Sequence, residues 1–416
     1  MPGSDTEVVV VGGGAAGVAA GRRLRDASVD CLIVEARSRL GGRSWTITDA
    51  AGFALDLGCG WLHSADRNPW VKVAEGQGRV IDKATPPWGR PSMTAGFPLE
   101  EQREFNIAMD AFHERVEQAA ETEADGPASA LLEPGNRWNN LINSVGTYIS
   151  GMELDQISIR DLANYADSGV NWRVTDGYGT IIAAHGASVP MVLDSPVSRI
   201  DHSGPRLRIE TPKGVITADQ AIITLPTTVL AEQDDFFAPA LPEKTEAAAG
   251  LPLGLDDKLF MALEGAEEFD LDSRIFGRTD RSGTGAYHAR PFGRPQIEAF
   301  YGGALAAELE AGGEAAFFDF AVAELTGLFG SGFARRLKFV AVHPWGTDPF
   351  ARGAYSCALP GRVDCRAVLA APVNDRLFFA GEACSRHDYS TAHGGWLTGV
   401  AAADQVIAVR KGRPIA

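Results

Sequence analysis

The chain has 416 residues, of which 45% are hydrophobic and 22% charged. At roughly 100–200 residues per domain it has room for two domains with real cores, and its composition is that of a globular rather than a disordered protein. A formal net charge of −16 argues against a nucleic-acid backbone as partner and would draw a cationic substrate inward.

Five cysteines (Cys31, Cys59, Cys357, Cys365 and Cys384), scattered without a CxxC pair and odd in number, argue against a disulfide framework and fit a reducing compartment. No run reaches the roughly 18 apolar residues of a membrane span, and Met1 to Val11 lacks a basic, then apolar leader. The expectation is a cytoplasmic protein with no membrane partner.

In chain order, the first signal is Val8-Val9-Val10-Val11, a β-branched run that predicts a strand. Gly12-Gly13-Gly14-Ala15-Ala16-Gly17 follows, then a helix-like stretch from Val18 to Leu24. Gly12, Gly14 and Gly17 fit GxGxxG: one for the tight turn, one to let a pyrophosphate approach, one to pack helix on strand. The amides that open the helix at Ala15 and Ala16 then face the phosphates. A second strand over 30–34 ends at Glu35, about 20 residues beyond Gly14, the spacing of a carboxylate on the adenosine ribose. A merely structural glycine turn would not need this order of strand, motif, helix, strand and acid.

The continuation from Arg37 to Thr46 carries Gly41-Gly42-Arg43. It resembles the second glycine-rich stretch of the glutathione reductase-like flavoproteins, which implies FAD rather than a nicotinamide. Ala36, Arg37, Gly41, Gly42 and Arg43 would then surround its pyrophosphate.

Later motifs narrow the resemblance. They are Asp56-Leu57-Gly58-Cys59-Gly60-Trp61-Leu62-His63, Leu251 to Lys258, Gly353-Ala354-Tyr355-Ser356, Arg376 to Ala383, and Thr391 to Val400. With them the chain resembles the flavin-containing amine oxidase family of monoamine, polyamine and L-amino-acid oxidases. The resemblance implies that Gly58, Cys59, Gly60 and Trp61 pass the flavin, that His63 lines the substrate cavity, and that Val197 serves the adenine. Lys258 would hold a water near flavin N5, with burial disfavouring its charged form. Gly381 and Glu382 would meet the ribityl and pyrophosphate region, and Gly395, Trp396 and Leu397 would open a helix toward flavin N1 and C2=O. Tyr355 and Trp396 would form an aromatic cage guiding an amine to N5. Ala354 stands where monoamine oxidases keep the cysteine that bonds the flavin, so FAD is expected to be noncovalent. Cys357, two residues beyond Tyr355 and on the same face of a strand, leaves an unusual linkage open.

The expected fold is α/β: a glutathione reductase-like Rossmann FAD-binding domain assembled from residues 1–66, 186–250 and 345–416, interleaved with an α+β substrate domain of residues 67–185 and 251–344. Within it, 193–200 reads as a strand, 221–226 as its return, and 99–123 as an amphipathic helix burying Phe105, Met109, Phe112, Val116 and Ala120. The histidines lack zinc-like spacing, so no metal is expected.

These features imply an FAD-dependent amine oxidase that passes a hydride from a primary or secondary amine, a polyamine or monoamine, to the flavin. The imine would hydrolyse, and O2 or another acceptor would take the electrons, O2 giving hydrogen peroxide. A homodimer is carried as the oligomeric expectation. The alternatives are a carbon–carbon desaturase or protoporphyrinogen-type oxidase, which has no need of Lys258 and the cage, and a flavoprotein whose FAD is structural.

Overall fold

A computed structural model describes residues 5–412 apart from 123 and 234. Its larger sheet has eight strands, in the order Phe237–Ala238, Arg199–Asp201, Leu207–Thr211, Gly214–Ile223, Asp5–Val11, Cys31–Val34 and Met191–Val192, with Leu377–Phe379 also pairing to Gly214–Ile223. The valine run is central to this sheet, with parallel neighbours on both sides. That position explains its unbroken apolarity. Val8 and Val10 pack with the helices Ala15–Asp26 and Ala392–Arg410, while Val9 and Val11 pack into a second core on the other face.

The long strand Gly214–Ile223 changes partner midway. Its first half is antiparallel to Leu207–Thr211, and Ala221 to Ile223 then run parallel to Leu377–Phe379, which brings the end of the chain beside its beginning. The strand expected over 193–200 is interrupted: only Met191–Val192 and Arg199–Asp201 are extended in ladders. Asp194 takes a positive φ of 48° and Pro196 has no N–H to donate, so the chain leaves the sheet between them.

A second, antiparallel sheet has the order Ser273–Phe276, Ala286–Ala289, Gln296–Gly302, Asp256–Leu263 and Leu337–Val342. Its alternation divides two environments. Ile275, Tyr287, Ala289, Ile297, Ala299, Tyr301, Leu259 and Met261 enter a core with the helices Gly303–Gly312 and Glu314–Phe329. Cross-strand partners on the opposite face form two rows: Lys258, Phe300 and Ala286, then Glu298, His288 and Arg274. The helix Leu99–Thr122 covers this part of the molecule, burying Phe105, Phe112 and Val116, with Met109 and Ala120 packed beside them. Among the described residues no helix is long and apolar enough to cross a membrane, and all five cysteines are free.

Candidate active site

A cavity of about 1020 Å³ runs from the carboxyl ends of the central parallel strands to the face of the second sheet that carries Lys258 and His288. This is at the top of the range of roughly 300–1,000 Å³ usual for small-molecule sites. Residues expected to meet the nucleotide lie together at its first end. Gly12, Gly14, Ala15 and Ala16 line it, with Glu35, Ala36, Arg37, Gly41, Gly42 and Arg43 beside them, and Val197 and Gly381 complete the wall. Gly17 packs against the turn so closely that a Cβ there would lie 1.9 Å from the Gly12 carbonyl oxygen. At Gly14 a Cβ would meet nothing nearer than the Gly42 Cα at 3.9 Å, so the backbone there faces open space at the start of a helix.

Glu35 accepts from the Gly13 amide at 2.6 Å and the Arg37 amide at 2.7 Å, and burial raises its pKa. The two arginines differ. Arg37 is held by a two-pronged pair with Asp348, at 2.8 and 2.7 Å, and lies beside the Phe350 ring. Arg43 donates to the Ala354 carbonyl at 2.7 Å and to Glu382 at 3.0 Å. Burial works against ionisation of Glu382, but Arg43, the Ser356 hydroxyl, Arg366 and the Ser390 amide hold its carboxyl below the usual range. Arg366 lies behind this group, fully buried and paired with Asp161 at 2.7 Å while donating to the Ser356 hydroxyl at 3.0 Å. The guanidinium thus bridges Ser356 and the Ala383 carbonyl, and the Ser356 hydroxyl in turn donates to Glu382 at 2.6 Å.

The second end holds Lys258, Tyr355 and His63, together with Gly58, Cys59, Gly60 and Trp61. Lys258 Nζ pairs with Glu298 at 3.0 Å and donates to the Asp56 carbonyl at 3.2 Å. Here the expectation of a depressed lysine pKa fails. Burial does lower it, but the acids around it, Glu298 first among them, outweigh burial and leave the ammonium favoured. Tyr355 donates to the Tyr148 carbonyl at 2.6 Å, and burial together with the Asp256 carboxyl keeps its phenol protonated. His63 shares a hydrogen bond of 2.8 Å with Asn171 through Nδ1, and burial lowers its pKa. The Cys59 thiol donates to the Ser44 hydroxyl at 2.6 Å and is pushed up to about 12 by burial.

Trp396 and Leu397 are placed elsewhere. The helix Ala392–Arg410 starts at the cavity, capped by the Thr391 hydroxyl, and turns Ala392 and Gly395 toward it. One residue on, about 100° around the helix, Trp396 packs edge-on to Trp70 at 4.6 Å and against His185 at 4.9 Å. Leu397 is exposed. Trp396 therefore does not face Tyr355 across the cavity. The rings that do share the cavity with Tyr355 include Tyr148, Tyr165, Phe300 and Trp88. Cys357 turns from the cavity into the core beside Met152, its thiol 3.1 Å from the Met152 sulfur.

Sequence reasoning missed Asp56, Asp256, Glu298, His288 and Arg274. Their signal was present as alternation: Asp256, Lys258 and Phe260, then Glu298 and Phe300, are polar or aromatic positions interleaved with core residues. Trp88 had no periodic signal, lying in a short turn over 87–89 where its ring rests edge-on to Trp61 and near His63 and His288.

Residues 91–407 match the family described as flavin containing amine oxidoreductase, and residues 10–74 match an NAD(P)-binding Rossmann-like domain. The chain is 28% identical to "Polyamine oxidase 4" of Oryza sativa subsp. japonica, over 99% of this chain and 91% of that one. It is 27% identical to "Polyamine oxidase 2" of Arabidopsis thaliana, over 95% and 87% respectively. It is also 29% identical to the rice "Lysine-specific histone demethylase 1 homolog 2" over 98% of its own length, spanning 57% of that protein.

Proposed function

Because the chain belongs to the flavin-containing amine oxidoreductase family, an FAD-dependent oxidoreductase family with a Rossmann-like dinucleotide-binding domain, we propose that it oxidises the C–N bond of a primary or secondary alkyl amine. FAD fits the first end of the cavity, where the open approach at Gly14 and the helix start beside it suit a pyrophosphate. Glu35 and Val197 would hold the adenosine, and Arg43 with Glu382 the middle of the molecule. The chemistry FAD supplies is acceptance of a hydride from the carbon bearing nitrogen and delivery of the electrons to oxygen as peroxide. We read the FAD as noncovalent, since Ala354 precedes Tyr355 and the cavity-lining Cys59 is a protonated thiol.

The residues of this chain prepare the amine. Glu117 and Asp167 line the outer cavity and attract a protonated amine. Asn171 accepts from His63 Nδ1, which leaves Nε2 of a neutral ring free to take the proton that must leave before the C–N bond is oxidised. Tyr355 and Phe300 give apolar walls. Lys258, fixed by Glu298 and the Asp56 carbonyl, keeps one N–H to hold a water for imine hydrolysis.

The observation that carries this reading is the placement of Lys258, Tyr355 and His63 in one cavity with the nucleotide loops. Oxygen uptake with a panel of amines tests it: peroxide and aldehyde or ketone should appear in step with oxygen consumed. Turnover of a cyclic C–C substrate with no response to amines would instead favour a desaturase.

A further inference from the structure

On the wall formed by the second sheet, Lys258 is matched by Glu298, and nearby, on the separate strand Trp172–Val174, Arg173 is matched by Asp272 at 2.8 Å and Asp82 at 2.6 Å. Arg274 is different. It lines the cavity, and among the described residues no carboxylate lies within ion-pair distance of its guanidinium. The guanidinium instead rests over the Phe276 ring at 4.3 Å, which holds it in place without neutralising it, and burial lowers its pKa to about 10. Its cross-strand neighbour His288 also lines the cavity, is 4% exposed, and leaves Nδ1 with no hydrogen-bond partner. Burial and the cations around it, Arg274 first among them, keep that ring neutral. A half-buried arginine without a counter-ion beside a buried, unsatisfied imidazole nitrogen is costly unless a ligand supplies the missing acceptor.

We propose that Arg274 and His288 form a carboxylate subsite, so that the preferred substrate is an amine that also carries a carboxylate. The proposal rests on the amine-oxidase reading of the same cavity. The guanidinium fork matches a carboxylate bidentately, and a neutral imidazole can donate a further hydrogen bond. Spacing limits the length of the substrate. Arg274 and Lys258 stand on strands three steps apart, about 14 Å between backbones. The carboxylate therefore lies several bonds from the oxidised C–N bond, unlike that of an α-amino acid. A polyamine would instead bring a second ammonium toward the guanidinium, which like-charge repulsion disfavours.

The test compares anaerobic flavin reduction by ε-aminocaproate, its amide, norleucine and spermidine, and separately measures binding of caproate, which cannot be oxidised as an amine, from its perturbation of the flavin spectrum. The expected result is that ε-aminocaproate half-saturates at a concentration roughly 10- to 100-fold below its amide or norleucine, the range for a hydrogen bond to a charged group. Arg274→Gln should abolish that preference and caproate binding together, and Arg274→Lys, which keeps the charge but not the fork, should retain part of both. The proposal is overturned if spermidine or the amide is preferred over ε-aminocaproate, or if caproate binds equally to wild type and Arg274→Gln. Should no amine reduce the flavin, the amine-oxidase reading fails, while caproate binding still decides the subsite.

Discussion

Replacing Lys258 by methionine separates its chemical role from its structural one. The ammonium is 7% and its partner Glu298 13% exposed, so removing the lysine strands a carboxylate in a site with little water. Breaking a buried pair from one side costs about 3–5 kcal/mol. The Lys258→Met, Glu298→Gln double variant removes the uncompensated charge and should recover most of that loss. Turnover should behave differently. The water held by the third N–H is lost in both variants, and a hydrogen bond from a charged donor contributes about 1.5–3 kcal/mol, or roughly 10- to 150-fold in rate. Urea unfolding reports the first quantity and steady-state oxygen consumption the second, with FAD content measured from the visible spectrum. The single variant should be destabilised, the double variant near wild type in stability, and both slowed by at least tenfold with FAD still bound. Turnover within twofold of wild type in the double variant would refute the role given to Lys258.

Other consequences follow from the same geometry. Burial pushes Asp256 up to about 8, against roughly 3.9 for the unfolded chain. Its folded form therefore keeps the proton, and the associated stability is complete below about pH 4 and lost as pH rises through 8. The stability of wild type relative to Asp256→Asn should fall across that window and level off above it, as read by thermal unfolding at each pH; a difference that does not change with pH would show that Asp256 is already ionised. Arg366→Met should cost about 3–5 kcal/mol in urea unfolding by stranding Asp161, with a smaller loss when Asp161 is replaced by leucine at the same time. At the nucleotide turn, Gly17→Ala should fold poorly, because its Cβ would fall 1.9 Å from the Gly12 oxygen. Gly14→Ala should leave the apoprotein as stable as wild type and weaken only FAD binding, measured by fluorescence titration.

Much of the nucleotide end was legible because its constraints are local. The valine run, the spacing of Gly12, Gly14 and Gly17, and Glu35 at the end of the next strand each answer to a backbone requirement within a single βαβ unit. Constraints that act across the chain were less so, at both ends of the cavity. That Arg37 is neutralised by Asp348, and that Arg43 instead meets Glu382, depends on pairings more than 300 positions apart along the chain. Trp396 was assigned to the cavity from its motif, but helix rotation decides which of Gly395 and Trp396 faces inward, and the motif does not specify that rotation. Lys258 was located, yet its charge state follows from Glu298 on the neighbouring strand, which no local pattern couples to it. Arg274 and His288 are ordinary polar positions until the sheet aligns them.

The most direct test of the central claim is an anaerobic titration of the purified, FAD-loaded protein with alkyl amines, followed at the flavin absorbance band. Loss of the oxidised flavin band on adding an amine, with its return on admitting air and the release of an aldehyde or ketone, is the predicted result. An oxidised flavin that no amine bleaches, in protein that retains its FAD and its fold, would contradict amine oxidation in this cavity.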